Sequence, residues 1–136
     1  MRVVVCGSRD FADHVVVNAV LDGLYREYVQ SGKIPSPEVF TIIDGQCPYG
    51  GADELAYEWT DRWGWTASER FPPKTNTAPD YHARNRAMID SGADLCVAFV
   101  NKPLSLSRGT ASTVHYARSK GVKTIVVEVV LPECRT

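Results

Sequence analysis

Short apolar runs alternate with amphipathic stretches along nearly the whole chain, and this alternation limits the fold more than any other feature. Val3-Val4-Val5-Cys6 is a β-branched run stopped at Gly7, and Val39-Phe40-Thr41-Ile42-Ile43 is a second, stopped by Asp44-Gly45. Residues 65–71 alternate in part, and residues 93–100 and 122–127 are again apolar and β-branched. Such runs read as strands covered on both faces. They place five strands near residues 2–6, 39–43, 65–70, 94–99 and 123–127. Between them the apolar period lengthens to that of a helix. Asp13 stands as an N-cap before Val17, Val20, Leu21, Leu24 and Tyr28, a face expected to end near Ser31-Gly32, ahead of a loop with Pro35 and Pro37. Ala52, Leu55, Ala56, Trp59 and Trp63 form a second face, closed by Gly64. A loop holding Pro72, Pro73, Thr75, Asn76 and Pro79 precedes a third helix, from about Asp80 to Ser91, with Gly92 after it. A polar loop from Asn101 to Arg108 leads to a last helix, Gly109 to Lys120, ended by Gly121. The pattern predicts an α/β fold: a single-domain, Rossmann-like, doubly wound parallel sheet of about five strands with helices on both faces. The core spans about residues 2–127, and residues 128–136 form a tail.

Composition narrows the function classes. A chain of 136 residues that is 44% hydrophobic and 23% charged is an ordinary single globular domain. With 15 Lys+Arg against 16 Asp+Glu it has no positive excess, which makes nucleic acid an unlikely partner. No apolar run approaches the ~18–20 residues that span a bilayer, so no membrane association is expected. Met1 leads into a strand, not into the apolar core of a signal peptide. Cys6, Cys47, Cys96 and Cys134 are widely spaced, with no C-x-x-C pair, and read as reduced thiols without a metal. A soluble, cytoplasmic protein is the expectation.

In a doubly wound sheet a ligand sits outside the carboxyl ends of the strands, where strand order reverses. The polar clusters fall on that rim. Gly7-Ser8-Arg9-Asp10 follows strand one; Asp44-Gly45 and then Gly50-Gly51-Ala52-Asp53 follow strand two. His82, Arg84, Asn85 and Arg86 follow strand three, and Arg108-Gly109-Thr110 follows strand four. Glycines let a backbone approach an anion, helix N-termini offer unpaired N–H groups, and arginines supply forked charged contacts. Ser8, Thr110 and Ser112 add hydroxyl donors. The candidate phosphate- or ligand-binding residues are therefore Gly7, Ser8, Arg9, Gly45, Gly50, Gly51, Arg84, Asn85, Arg108, Gly109, Thr110 and Thr113. Neither the P-loop pattern nor G-x-G-x-x-G is present, so a kinase or a dinucleotide-dependent dehydrogenase lacks its main support, and no cofactor is expected. Plainer roles compete: Gly7 and Gly45 as turn residues, Asp53 as a complement to a helix dipole, His82 on the surface, Trp59 and Trp63 in the core. Arg84 and Arg86 lie about 200° apart around a helix and cannot both face one pocket.

Cys6-Gly7-Ser8-Arg9-Asp10, Gly50-Gly51-Ala52-Asp53, Arg84-Asn85-x-x-Met88 and Arg108-Gly109-Thr110 together resemble the YspA-like branch of the SLOG superfamily, over about residues 2–127. That superfamily joins Smf/DprA-type proteins with the LOG phosphoribohydrolases. The resemblance implies a Rossmann-like domain that binds a nucleotide or nucleotide-derived ligand at the glycine-rich rim, and it implies a homodimer. LOG enzymes are similar at His82-Ala83-Arg84 and Gly109-Thr110; Arg84 falls on their arginine, but Thr113 falls on their glutamate. Threonine can neither stabilise an oxocarbenium-like centre nor act as a base. Tyr49, in a place where this branch commonly carries other residues, could stack on a base or could equally cover the pocket. Three functions follow. The first is a module that senses or sequesters a nucleotide derivative. The second is a hydrolase of a nucleotide N-glycosidic or phosphoester bond, with Asp53 and Arg84 as candidate catalytic residues and Asp10 or Asp44 as other acid/base groups. A DprA-like single-strand DNA binder comes third, against the charge balance.

Overall fold

Five strands pair in the order β3-β2-β1-β4-β5, all parallel, in a computed structural model that describes residues 1–30, 40–62 and 66–129. They are β1 (Arg2–Gly7), β2 (Phe40–Asp44), β3 (Thr66–Arg70), β4 (Leu95–Val100) and β5 (Lys123–Glu128). The helices between them are α1 (His14–Tyr25), α2 (Gly51–Thr60), α3 (Ala78–Asp90) and α4 (Arg108–Ser119). This is the expected doubly wound α/β sheet, and its strand order reverses between β1 and β4. Those two strands run side by side with Val3 opposite Leu95 and Gly7 opposite Phe99.

Side-chain alternation along the strands builds two cores, one on each face. Val3, Val5, Phe40, Ile42, Leu95, Val97 and Phe99 pack with Val17, Leu21 and Leu24 of α1 and Ala52, Ala56 and Trp59 of α2. Val4, Cys6, Ile43, Cys96 and Ala98 pack with Met88 and Ile89 of α3 and Val114 and Ala117 of α4. Trp59 is fully buried in the first core and donates its indole N–H to Asp22 at 2.8 Å. Cys6, Cys47 and Cys96 are free thiols. Among the described residues, no helix is long and apolar enough to cross a membrane.

The differences from the sequence expectation are local. Asp13 caps α1 as expected, accepting from the Val16 N–H at 3.1 Å, but the helix widens into a π-helical turn over Arg26–Gln30. The third helix begins at Ala78, so Pro79 sits in its first turn rather than in the loop, where a missing N–H costs nothing. β4 begins one residue later than expected, because Asp94 uses its carboxylate to accept from the Arg2 N–H at 2.8 Å. The loop after β4 carries a 3₁₀ turn, Leu104–Leu106, and α4 starts at Arg108. Gly92 and Gly121 follow α3 and α4 at positive φ, as stop signals. The stop at Ser31-Gly32, the loop with Pro35 and Pro37, residues Val39, Trp63, Gly64 and Trp65, and the end of the tail with Cys134 lie outside the described residues.

Candidate functional site

Ser8 fixes the end of β1. Its N–H donates to Phe99 O at 3.0 Å, extending the β1–β4 ladder by one bond. Its carbonyl accepts from the N–H groups of Phe11 (3.1 Å) and Ala52 (3.3 Å), and its hydroxyl accepts from the Asn101 N–H at 3.4 Å. The start of α2 is thereby drawn against the end of β1. Gly51 permits this approach: its φ is +64°, and a Cβ there would stand 2.6 Å from the Arg9 carbonyl.

Above the β1–β4 junction lies a cavity of about 690 Å³. Gly7, Ser8, Arg9 and Asp10 line it from the β1 loop, Cys47 and Asp53 from the β2 loop and α2. Tyr81, His82, Arg84, Asn85 and Met88 come from α3, and Lys102, Leu106, Ser107, Arg108, Gly109, Thr110 and Thr113 from the β4 loop and α4. Nine of the twelve ligand candidates read from the sequence therefore meet around one space: Gly7, Ser8, Arg9, Arg84, Asn85, Arg108, Gly109, Thr110 and Thr113. Gly45, Gly50 and Gly51 do not line it. Their work is in the frame: Gly50 caps α2, Gly51 lies against the β1 loop, and Gly45 leaves room for Arg84. Tyr49 is also outside the lining, exposed, with the Arg9 guanidinium 5.0 Å from its ring centre. His82, read as a surface residue, is half-buried in the wall.

Two helix N-termini differ in what satisfies them. At α2, the Ala52 N–H is taken by Ser8 O, and Asp53 accepts from the Cys47 N–H at 3.1 Å. At α4, Ser107 is the N-cap residue but its side chain caps nothing. Its hydroxyl oxygen is buried, with no hydrogen-bond partner among the described residues, in a residue only 7% exposed that lines the cavity. The first N–H groups of a helix have no intrahelical acceptor and carry the positive end of its dipole. Arg9, Lys102 and Arg108 surround the space and make no ion pair among the described residues. Ser107 was passed over in the sequence because a serine in a polar loop looks like any other; its place before Arg108-Gly109-Thr110 was the available signal.

Arg84 is committed to the protein. Its guanidinium donates to Gly45 O, to Phe71 O at 3.4 Å and, through Nε, to Asn85 Oδ1 at 2.7 Å. It lies 5.2 Å from the centre of the Tyr81 ring. It thus holds the loops after β2 and β3 against α3 while presenting one side to the cavity. Thr113 is likewise spent as a donor: its hydroxyl donates to Gly109 O at 3.1 Å, so towards the cavity it can only accept.

The carboxylates form a second layer beneath the rim. Asp44 is fully buried and accepts from the Gln46 N–H at 2.7 Å and from Arg70 Nε at 3.0 Å. Arg70 continues to Glu54 at 2.9 Å and stacks on Tyr57, 3.9 Å from its ring centre. Burial raises the Asp44 carboxyl above its ordinary value, against the pull of the Gln46 N–H and Arg70. Asp53 is 8% exposed. Burial first, then the neighbouring Asp44 charge, push its carboxyl up to about 6, against the opposing charge of Arg84. Asp10, at the cavity mouth, accepts from Asn101 Nδ2 at 2.9 Å. Among the described residues there is no group of three or more His, Cys, Asp or Glu side chains arranged to hold a metal.

A doubly wound parallel sheet with a cation-rimmed cavity at its switch point defines the class: a Rossmann-like α/β domain. The chain belongs to the YspA, cpYpsA-related SLOG family, whose model matches residues 1–77. It is 32% identical over 139 residues to the Gene 61 protein of Mycobacterium phage D29, covering 91% of this chain and 94% of that protein. No solved structure matches it. Membership of the family points to nucleotide-related function.

Proposed function

We propose that the protein binds a nucleotide or nucleotide-derived ligand in the cavity above β1 and β4, as a sensor or sequestering module. The observation that carries this reading is the α4 N-terminus. Its cap residue, Ser107, lines a space rimmed by three cations, and among the described residues its hydroxyl has no partner and the cations form no ion pair. A phosphate supplies what such a site lacks: acceptor oxygens for the serine hydroxyl and the helix N–H groups, and negative charge for the arginines. Asn85, Thr113 and Tyr81 remain for the sugar and base. Native mass spectrometry of the purified protein, followed by calorimetry with nucleoside monophosphates, tests the reading. Binding that Arg108→Ala weakens supports it; no detectable binding of any nucleotide refutes it.

A hydrolase is the second reading, and Asp53 favours it. A carboxyl held near 6 in a cavity wall is matched to proton transfer near neutral pH. In this scheme Asp53 protonates the leaving group or activates water, and Arg84 steadies the charge. Release of free base or phosphate from nucleoside monophosphates, abolished by Asp53→Asn, would establish it. The homodimer implied by the family resemblance is checked by light scattering.

A further inference from the structure

A second cavity, of about 310 Å³, lies between α3 and α4. His82, Asn85 and Thr113 belong to the walls of both cavities, so the two spaces meet across these side chains. Beyond them the walls are Arg86 from α3 and Ser112, His115, Tyr116 and Ser119 from α4. Residues 112, 115, 116 and 119 recur at helical spacing and form one face of α4. No aliphatic side chain lines this groove, which makes it unsuited to an apolar partner. Arg86 makes no ion pair among the described residues. The sequence from residue 95 to residue 127 contains no Asp or Glu, although Lys102, Arg108, Arg118, Lys120 and Lys123 all fall within it. The near-zero net charge hides this partition. Asp90 is the acid tied to the groove wall, and the Tyr116 hydroxyl donates to its two oxygens, both at 2.8 Å.

We propose that the α3–α4 groove is a second anion subsite, and that the ligand is a nucleotide carrying a second phosphate remote from the first. The inference rests on the reading of the main cavity as a nucleotide site and names the ligand's class. One phosphate meets the α4 N-terminus, the nucleoside lies along Asn85 and Thr113, and the second phosphate meets Arg86, His115 and the hydroxyl of Ser112, while the Ser119 hydroxyl is spent as a donor to Tyr116 O at 2.7 Å. Arg86, which faces away from the main cavity, thereby gains a role that Arg84 cannot fill.

The chain has three histidines, His14, His82 and His115, and this gives the groove its own reporter. His115 lines only the groove, His82 lines both cavities, and His14 begins α1 on the opposite face of the sheet. Titration with inorganic phosphate, followed by the imidazole resonances, is expected to move His115 while His14 stays fixed. Native mass spectrometry with mixed nucleoside 5′-monophosphates and mixed 5′-phosphorylated dinucleotides is expected to show the dinucleotides binding at least about tenfold tighter. The double variant Arg86→Ala, His115→Ala should erase that advantage and leave mononucleotide affinity unchanged. Dinucleotides that bind no tighter, a variant that weakens both ligands alike, or an unmoved His115 would each overturn the second subsite while mononucleotide binding stands. Failure of every nucleotide to bind removes the reading of the main cavity, and this inference with it.

Discussion

Replacing Asp53 by Asn should stabilise the protein, in a way that depends on pH. The carboxyl is 8% exposed, and its ionised form is opposed by burial and by Asp44. A rise from 3.8 to about 6 on folding, at about 1.4 kcal/mol per unit, amounts to about 3 kcal/mol against the folded state once Asp53 is ionised. Because the folded value is raised, the folded state binds the extra proton between the two values. Stability is therefore full below the unfolded value of 3.8 and falls as the pH rises through about 6. Asn keeps an oxygen to accept from the Cys47 N–H and cannot ionise, so the variant lacks this loss. Urea denaturation of both proteins from pH 3.5 to 8 should give coincident stabilities at the acid end and a gap opening across pH 4–6. The gap should reach about 3 kcal/mol, or roughly 10 °C in melting temperature. Asp44, whose carboxyl is raised in the same direction, adds a slope of the same sign to both proteins. Curves that stay parallel over the whole range would refute the argument.

Arg9→Ala should weaken nucleotide binding by about 1.5–3 kcal/mol, read by calorimetry, because the contact proposed for it with a phosphate would be charge-assisted. Thr110→Val should cost about 1 kcal/mol of affinity; Thr113→Val should cost clearly less, since its hydroxyl proton is already given to Gly109 O. Gly51→Ala should destabilise the fold by about 1–3 kcal/mol in chemical denaturation, through its positive φ and its crowding against Arg9 O. Trp59→Ala should cost about 3–5 kcal/mol in the same assay, as expected for emptying a fully buried indole site.

The frame was legible because it rests on local periodicity. Val3-Val4-Val5-Cys6 and the apolar stretch before Asn101 show buried strands directly, and Gly92 and Gly121 mark their helix ends. The switch-point rule then brought Ser8, Arg9, Gly109 and Thr110 to one cavity. What remained hidden depends on contacts across long separations. Arg84 was legible as a rim residue, but not that its guanidinium is also tied to Gly45, 39 residues away, and to Phe71. Gly50 and Gly51 were legible as a glycine-rich helix start, but not that the Ala52 N–H there is taken by Ser8 O. Ser107 stayed hidden because its hydroxyl is distinguished only by the partner it lacks among the described residues. Asp44 and Asp53 were visible as carboxylates, but their mutual charge and their burial emerge only when β2 and α2 are folded together.

The unequal thickness of the two cores has a consequence for how such a protein diverges. Among the described residues, the buried aromatics Phe11, Tyr25, Phe40, Trp59 and Phe99 all belong to the α1–α2 side, while the buried residues of the α3–α4 side are cysteine, methionine, alanine, valine and isoleucine, with Phe71 and Tyr116 only partly buried against them. Aromatic side chains carry the greater share of burial energy, so the heavier side anchors the sheet. The lighter side bears most of the cavity walls. Exchanges on α3 and α4 therefore remove less stability than exchanges on α1 and α2. Substitutions on these two helices can thus redraw the cavity walls while the heavier side of the sheet keeps the fold standing.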